Sequence, residues 1–211
     1  ARYLPLQIDA PVRDWVRSAI LAGRSSDAQF RVRGDLYDFP YRNPREGDFS
    51  LTARVDDGVL RYAPDWPQIE RFQGTLAFER AGMRIQMRSG RVFGVEFGNT
   101  QATIRDFEEA LLRVEGAGEG PAADMLRFVN ESPVATRIDD FTRDAQAQGN
   151  AKLSLSLGLP LGELERSEVA GTVQFLGNEL RLDNTIPPFG AVTGTLEFND
   201  RGLAKIEQRT V

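Results

Sequence analysis

Adjacent carboxylates are the residues in this sequence that come nearest to a catalytic arrangement. They occur at Asp56-Asp57, Glu108-Glu109 and Asp139-Asp140. Two carboxylates can divide the roles of general acid and base only when both side chains reach the same reacting group. Neighbours in sequence diverge on helices and on strands. We therefore expect no carboxylate dyad at any of the three places.

Other common chemistries lack their residues. The sequence contains no histidine and no cysteine, so imidazole bases, Ser-His-Asp triads, thiolate nucleophiles and the usual zinc ligands are all missing. Gly116, Gly118 and Gly120 follow a predicted strand, but they lack the spacing of a dinucleotide-binding loop. We predict a protein that is not an enzyme, has no metal site and uses no cofactor.

Charge and length narrow the classes of partner. The net charge is −5 over 211 residues, and Lys152 and Lys205 are the only lysines, which disfavours nucleic acid as a partner because that role needs a basic surface. No apolar run approaches the roughly 20 residues of a membrane helix, and no signal-peptide pattern is present. Because the sequence opens at Ala1 without Met, we interpret it as a folded piece of a longer protein.

Helical periodicity is confined to two regions. Val12, Trp15, Val16, Ala19 and Ile20 share a face of a helix predicted over Pro11 to Ala22, followed by Gly23. A second helical region covers Pro121 to Phe141: a helix over Pro121 to Val129 stops at Ser132-Pro133, and a weaker helical stretch covers Asp139 to Gln146.

From Ala28 onward the dominant period is two, which predicts a mainly β fold of antiparallel strands paired neighbour to neighbour, with at least half of the residues in strands. Asp56-Asp57-Gly58 is interpreted as a hairpin turn, and a further strand is expected after Ser89-Gly90. Arg84, Arg88, Ser154 and Ser156 should lie on the polar face of the sheet. The apolar face should carry Phe49, Leu51, Leu76, Phe78, Met83, Ile85, Met87, Leu153, Leu155 and Leu157.

Two local strings stand out. Gly74-Thr75-Leu76-Ala77-Phe78 is echoed at Gly171 to Phe175 and at Gly194 to Phe198, which indicates one hairpin type used repeatedly. Tyr62-Ala63-Pro64-Asp65-Trp66-Pro67 could stack a carbohydrate, but the favoured interpretation is a rigid crossing between strands with Trp66 packed on the sheet.

Marks spread over nearly the whole chain resemble one family. They include Tyr3-Leu4-Pro5-Leu6, Asp38-Phe39-Pro40-Tyr41, the Tyr62 to Pro67 string, Gly120-Pro121-Ala122 and Leu159-Pro160-Leu161. In this order they resemble the YhdP proteins of the AsmA-like superfamily. The resemblance implies a curved antiparallel sheet that forms an apolar-lined groove with a few short helices. It also implies a periplasmic protein, tethered to the inner membrane by an N-terminal helix that this sequence lacks.

What covers the apolar face decides between functions, because a dozen large apolar side chains cannot remain in water. The residues alone favour a closed core, whereas the resemblance favours an open groove that shields phospholipid acyl chains on their way to the outer membrane. The ten apolar-face residues are then the lipid-binding set. The alternatives are a structural spacer or protein-interaction module of outer-membrane assembly with no lipid, and a glycan-binding domain that uses Tyr62 and Trp66.

The expected organisation is a single segment, 1–211, of a longer protein. Within it we expect an N-terminal helix over 1–25, a β-meander over 26–118, a helical insert over 119–148 and β-hairpins over 149–211.

Overall fold

The segments that show period-two alternation form one antiparallel sheet. A computed structural model describes residues 10–199 and 202–207, with side-chain surroundings given over 14–199 except at Val16, Leu36 and Arg137. More than half of the residues lie in strands, as predicted. They are β1 (Ile20–Gly34), β2 (Gly47–Leu60), β3 (Ile69–Glu79), β4 (Gly82–Val92), β5 (Val95–Ile104), β6 (Leu111–Pro121), β7 (Gln146–Gln148), β8 (Asn150–Pro160), β9 (Glu168–Arg181), β10 (Phe189–Asn199) and β11 (Gly202–Glu207).

The sheet order follows the chain. Strands β1 to β6 pair in sequence, then β8 to β11 continue beside β6, and the short strand β7 pairs with β9 next to β8. Every pairing is antiparallel. The predicted mainly β, neighbour-paired sheet is confirmed.

The α-helices lie in the two predicted regions, and only the first is shorter than expected. They are α1 (Ala10–Ala19), α2 (Ala122–Asn130) and α3 (Val134–Arg137), and one-turn 3₁₀ helices occur at Leu36–Asp38 and Leu164–Arg166. None of the helices in the described part of the chain is long and apolar enough to cross a membrane. The Tyr3-Leu4-Pro5-Leu6 string and the start of the predicted 1–25 helix lie outside the described residues.

One predicted helix ends early and another does not form. The first helix stops at Ala19 rather than Ala22, because Ile20 and Ala22 pair with Leu60 and Val59 of β2; these backbone bonds outweigh the local period of 3.6. The stretch predicted as a helix from Asp139 to Gln146 is a series of turns over 139–144 and ends in the first residue of β7. Asp139 and Asp140 have φ of 51° and 54°, a left-handed conformation that a right-handed helix cannot contain.

Asp56-Asp57-Gly58 is not a hairpin turn, contrary to the sequence interpretation. Strand β2 runs through it as a bulge: pairing with β3 jumps from Val55↔Gly74 to Gly58↔Phe72, and Asp57 has φ of 54°. Bulges use the same left-handed residues as tight turns, so composition alone does not separate them. Strand β4 likewise continues through Ser89-Gly90 to Val92.

The chain contains an internal duplication. All eight residue pairs of β2 with β3 recur between β9 and β10 at residue numbers 120 higher: Leu51 pairs with Phe78, and Gly171 with Phe198. Positive φ recurs at the same offset, 52° at Arg71 and 52° at Ala191. The Gly74 and Gly194 strings are therefore equivalent. The Gly171 string, in β9, corresponds instead to part of β2.

The match extends to the segment before these strands. Asp14-Trp15-Val16-Arg17 and Asp140-Phe141-Thr142-Arg143 each contain an ion pair between their Asp and Arg. In this segment the offset is 126 residues rather than 120, and Gly23 and Gly149, with φ of 141° and 84°, follow the two Asp residues at the same distance. We call 14–87 the first unit and 140–207 the second unit. Their loops before β3 and β10 are the first-unit loop (61–68) and the second-unit loop (181–188).

Candidate apolar groove

The register places all ten predicted residues on one face of the sheet. Directly paired residues share a face, and one row crosses six strands: Leu51, Phe78, Met83, Ile104, Leu112 and Leu159 are paired in succession. A neighbouring row contains Leu76, Ile85, Val114 and Leu157. The other four predicted residues lie on the same face as these rows. Each is two residues along its strand from a residue on that face: Phe49 from Leu51, Met87 from Ile85, Leu155 from Leu157 and Leu153 from Leu155. We call this the apolar face.

The opposite face is polar, as predicted. Arg84 is paired with Ala77 and Thr103, and Ser154 with Ala117 and Thr172. Arg84, Arg88, Ser154 and Ser156 are all exposed. The alternation along β4 and β8 therefore maps without a slip onto the two faces.

The middle of the apolar face is buried in one hydrophobic cluster that joins residues of strands β2 to β6, β8 and β9. Phe72, Ile104 and Leu112 are each 1% exposed. At the β1 edge the same face is open, with Phe30 66% exposed and Val32 41% exposed. Phe30 pairs with Leu51, so the exposed edge is continuous with the buried centre.

A cavity of about 90 Å³ lies within the apolar face. Its walls include Leu76, Ile85, Ala102, Val114 and Leu157, together with Trp15, Tyr62 and Phe128 at the rim. Apolar cavities of about 150 Å³ remain dry and accept small apolar molecules. The lining contains no charged side chain, so this space is suited to hydrocarbon.

Two glycines allow aromatic rings to pack closely against the backbone of the sheet. A Cβ added to Gly171 would lie 2.5 Å from Cζ of Phe198, and one added to Gly74 would lie 2.8 Å from Cζ of Phe72. Both are closer than a side chain tolerates, and backbone atoms crowd the same positions. The two aromatic rings therefore pack directly over glycine backbone, which larger residues would prevent.

Aromatic residues form one rim of the groove. The Trp66 and Phe128 rings have centroids 5.8 Å apart, and Tyr62 lies 5.9 Å from Trp66. The Trp15 indole N–H donates to the Tyr62 carbonyl oxygen. Burial raises the pKa of the Tyr62 hydroxyl well above its ordinary value. Trp66 is only 6% exposed, so the crossing interpretation is confirmed and the Tyr62–Trp66 string offers no open carbohydrate platform.

The other rim is held by aromatic and ionic contacts. Phe39 packs against Phe49 with ring centroids 5.2 Å apart. Arg42 binds both carboxylate oxygens of Asp106, at 2.6 and 2.9 Å, and also Glu108 at 2.8 Å. This fork joins the loop before β2 to the loop after β5. Glu108 thus belongs to an ion-pair network, and Asp140 is paired with Arg143. In the part of the chain that is described, no group of three potential metal ligands converges.

Several lining residues were not selected from the sequence. Ala102 and Val114 face the cavity and follow the same alternation as their neighbours, so the period could have identified them. Thr100 also lines the cavity. Its face could not be predicted from alternation, because the register between β5 and β6 shifts next to it. Trp15 and Phe128 reach the cavity from helices, and strand periodicity carries no signal for that contact.

Fold and groove together define an open β-sheet protein built around one continuous apolar face. The family model described as YhdP protein matches residues 1–207. The chain belongs to the YhdP family. It is 26% identical over 190 residues to the intermembrane phospholipid transporter YhdP of Escherichia coli K12, an alignment that covers 88% of this chain and 15% of that protein. No solved structure matches the chain.

Proposed function

We propose that this chain is a section of an envelope-spanning periplasmic protein, and that its apolar face shields phospholipid acyl chains between the inner and outer membranes. The observation that carries the proposal is the unbroken apolar row from Phe30 at one edge of the sheet through Leu51 to Leu159. A lipid path that crosses the strands requires a continuous apolar row of this kind. A closed core does not require apolar residues at an exposed edge.

The energetic case rests on chain length. Each CH₂ group moved out of water onto apolar surface gains about 0.8 kcal/mol, so one acyl chain gains several kcal/mol along a continuous face. The cavity lining includes Met87, Leu155 and other uncharged residues only, and therefore offers no ionic site for a headgroup. We infer that the groove selects acyl chains and leaves the headgroup in solvent at the rim.

The wider setting follows from the relative. The Escherichia coli protein is named as an intermembrane phospholipid transporter, and the present chain spans about 15% of its length. Tethering to the inner membrane through an N-terminal anchor and contact with the outer membrane or its proteins are parts of the same proposal. A non-enzymatic role is consistent with a transporter.

One observation favours the alternative of a structural spacer. The centre of the apolar face is as buried as an ordinary core, with Phe72 and Ile104 each 1% exposed. In that alternative the sheet is a closed element of outer-membrane assembly and carries no lipid. The two functions differ in whether hydrocarbon from the membrane occupies the groove.

Native mass spectrometry of the chain, expressed in a Gram-negative periplasm and purified without detergent, separates the two. The proposal predicts a population heavier by whole phospholipid masses, with varied acyl chains and more than one headgroup. A folded chain of bare polypeptide mass at all collision energies would favour the spacer.

A further inference from the structure

The second-unit loop carries an exposed apolar patch. Leu182 is 43% exposed, Ile186 is 38% exposed and Phe189, the first residue of β10, is 49% exposed. We call these three residues the second-unit patch. Exposed apolar residues that cluster at one loop mark contact surfaces more often than isolated ones do.

The duplication shows what lies over the equivalent residues of the first unit. At residue numbers 120 lower stand Tyr62, Trp66 and Ile69, since Leu60 pairs with Ile69 as Leu180 pairs with Phe189. Trp66 is 6% exposed, and the Phe128 ring lies against it. Phe128 belongs to α2, which lies between the two units in sequence and is followed by the short helix α3. A helix between the two units thus covers the loop of the unit before it.

A cation–π contact joins α2 to the sheet. The Arg127 guanidinium lies 3.9 Å from the Phe93 ring centroid, and a hydrogen bond of 2.7 Å to Glu131, one turn further along, orients the guanidinium. Phe93 lies in the turn between β4 and β5, so the helix bridges this turn and the first-unit loop. The contact is a joint between consecutive units of one continuous sheet.

We propose that the second-unit patch is the same joint with its helix absent, and that it receives an amphipathic helix of the α2 type, with an aromatic residue at the position of Phe128, from a further unit of this fold. The Escherichia coli relative is long enough for such units, because the aligned part is 15% of it. The joint does not depend on lipid, so it stands or falls separately from the proposed function.

The test builds the missing helix from the chain's own residues. Residues 88–133 are appended a second time directly after Glu207, which occupies the position of Met87 in the duplication. The appended copy then supplies equivalents of β5, β6 and α2. Hydrogen–deuterium exchange is measured over 182–190 in the natural and extended chains, and again in an extended chain with Phe128→Ala in the appended copy only.

We expect exchange over 182–190 to slow at least tenfold in the extended chain and to return to its original rate with the Phe128→Ala copy. Unchanged exchange in a chain whose circular dichroism shows the added strands and helix would overturn the proposal. Protection that survives Phe128→Ala would also overturn it.

A second arm applies if the extension does not fold. A labelled peptide of residues 121–133 is titrated into the natural chain, into Ile186→Ser and into Tyr37→Ser, whose tyrosine is 94% exposed elsewhere. Binding weakened at least fivefold by Ile186→Ser, but not by Tyr37→Ser, supports the joint. Absent binding, or equal binding to all three, contradicts it; equal binding would place the peptide on the first-unit site or on nonspecific surface.

Discussion

The Trp66 ring packs against the Phe128 ring at a centroid separation of 5.8 Å and an interplanar angle of 55°. Trp66 belongs to the first-unit loop and Phe128 to α2, which lies between the two units in sequence, so this pair attaches α2 to the first unit. Aromatic pairs at this distance contribute about 0.5–1.5 kcal/mol beyond the area that they bury. The equivalent of Trp66 in the second unit is Ile186, which has no such partner among the contacts described.

The two equivalent positions should differ in their contribution to stability. We expect Trp66→Ala to lower the free energy of unfolding by about 3–5 kcal/mol, because it empties a buried site. Ile186→Ala should cost less than about 1 kcal/mol, because its side chain is partly in solvent. Urea denaturation followed by circular dichroism measures both. Similar losses at the two positions would show that the units are not in different environments.

Charge on the apolar face should have different effects at two depths. Met87 is 4% exposed, so Met87→Asp buries an unpaired carboxylate and should unfold the chain or prevent its expression. Leu155 is half-buried, so Leu155→Asp can hydrate at the groove surface and should keep the fold. We expect Leu155→Asp to lose bound phospholipid in native mass spectra.

Ser154→Asp is the matched control for this pair, because Ser154 neighbours Leu155 but lies on the polar face. It should retain both the melting temperature and the lipid. If Leu155→Asp aggregates as Met87→Asp does, then the region around Leu155 is ordinary core and the spacer function gains support.

Residue periodicity predicted the faces of the sheet but not its interruptions. Leu153, Leu155 and Leu157 alternate with Ser154 and Ser156, and only one register buries the leucines together. The bulge at Asp57 has no such signature, because a left-handed aspartate followed by glycine is equally suited to a turn. Its identity as a bulge depends on β3, which continues past it to pair with Leu60.

The candidate groove was predictable only where strands alone define it. Met83 and Ile85 follow from alternation, whereas the contacts of Trp15 and Phe128 with the cavity depend on how two helices pack on the rim. The duplication was visible as an echo of Gly-Thr-Leu at Gly74 and Gly194. Its true period became clear only from the pairing of the strands, because few other residues are identical between the units.

Tyr41, in the loop before β2, offers a test of packing. Its side chain is fully buried, and its hydroxyl has no hydrogen-bond partner among the residues that the structure describes. An unsatisfied buried hydroxyl costs about 1–3 kcal/mol, so Tyr41→Phe should leave the chain as stable or raise its free energy of unfolding by about 1 kcal/mol. Tyr37→Phe, at a 94% exposed residue, should change nothing. A clear loss of stability in Tyr41→Phe would mean that a buried water satisfies the hydroxyl.

The Tyr62 hydroxyl predicts how stability changes at alkaline pH. Its pKa is raised by burial from an ordinary value of 10.0, so above that pH the unfolded chain loses this proton while the folded chain retains it. Stability must then fall as pH rises. We expect Tyr62→Phe to reduce the slope of this decline between about pH 10 and 11, measured by urea denaturation at each pH. Identical slopes in the two proteins would contradict the burial of this hydroxyl.

The most direct test of lipid shielding uses two adjacent residues on opposite faces. A photo-crosslinking amino acid is placed at Leu155 or at Ser154, and each protein is irradiated in a Gram-negative periplasm before purification and mass spectrometry. The proposed function predicts phospholipid adducts at Leu155 and none above background at Ser154. Folded protein that carries no lipid adduct at Leu155, or equal adducts at both positions, would contradict it.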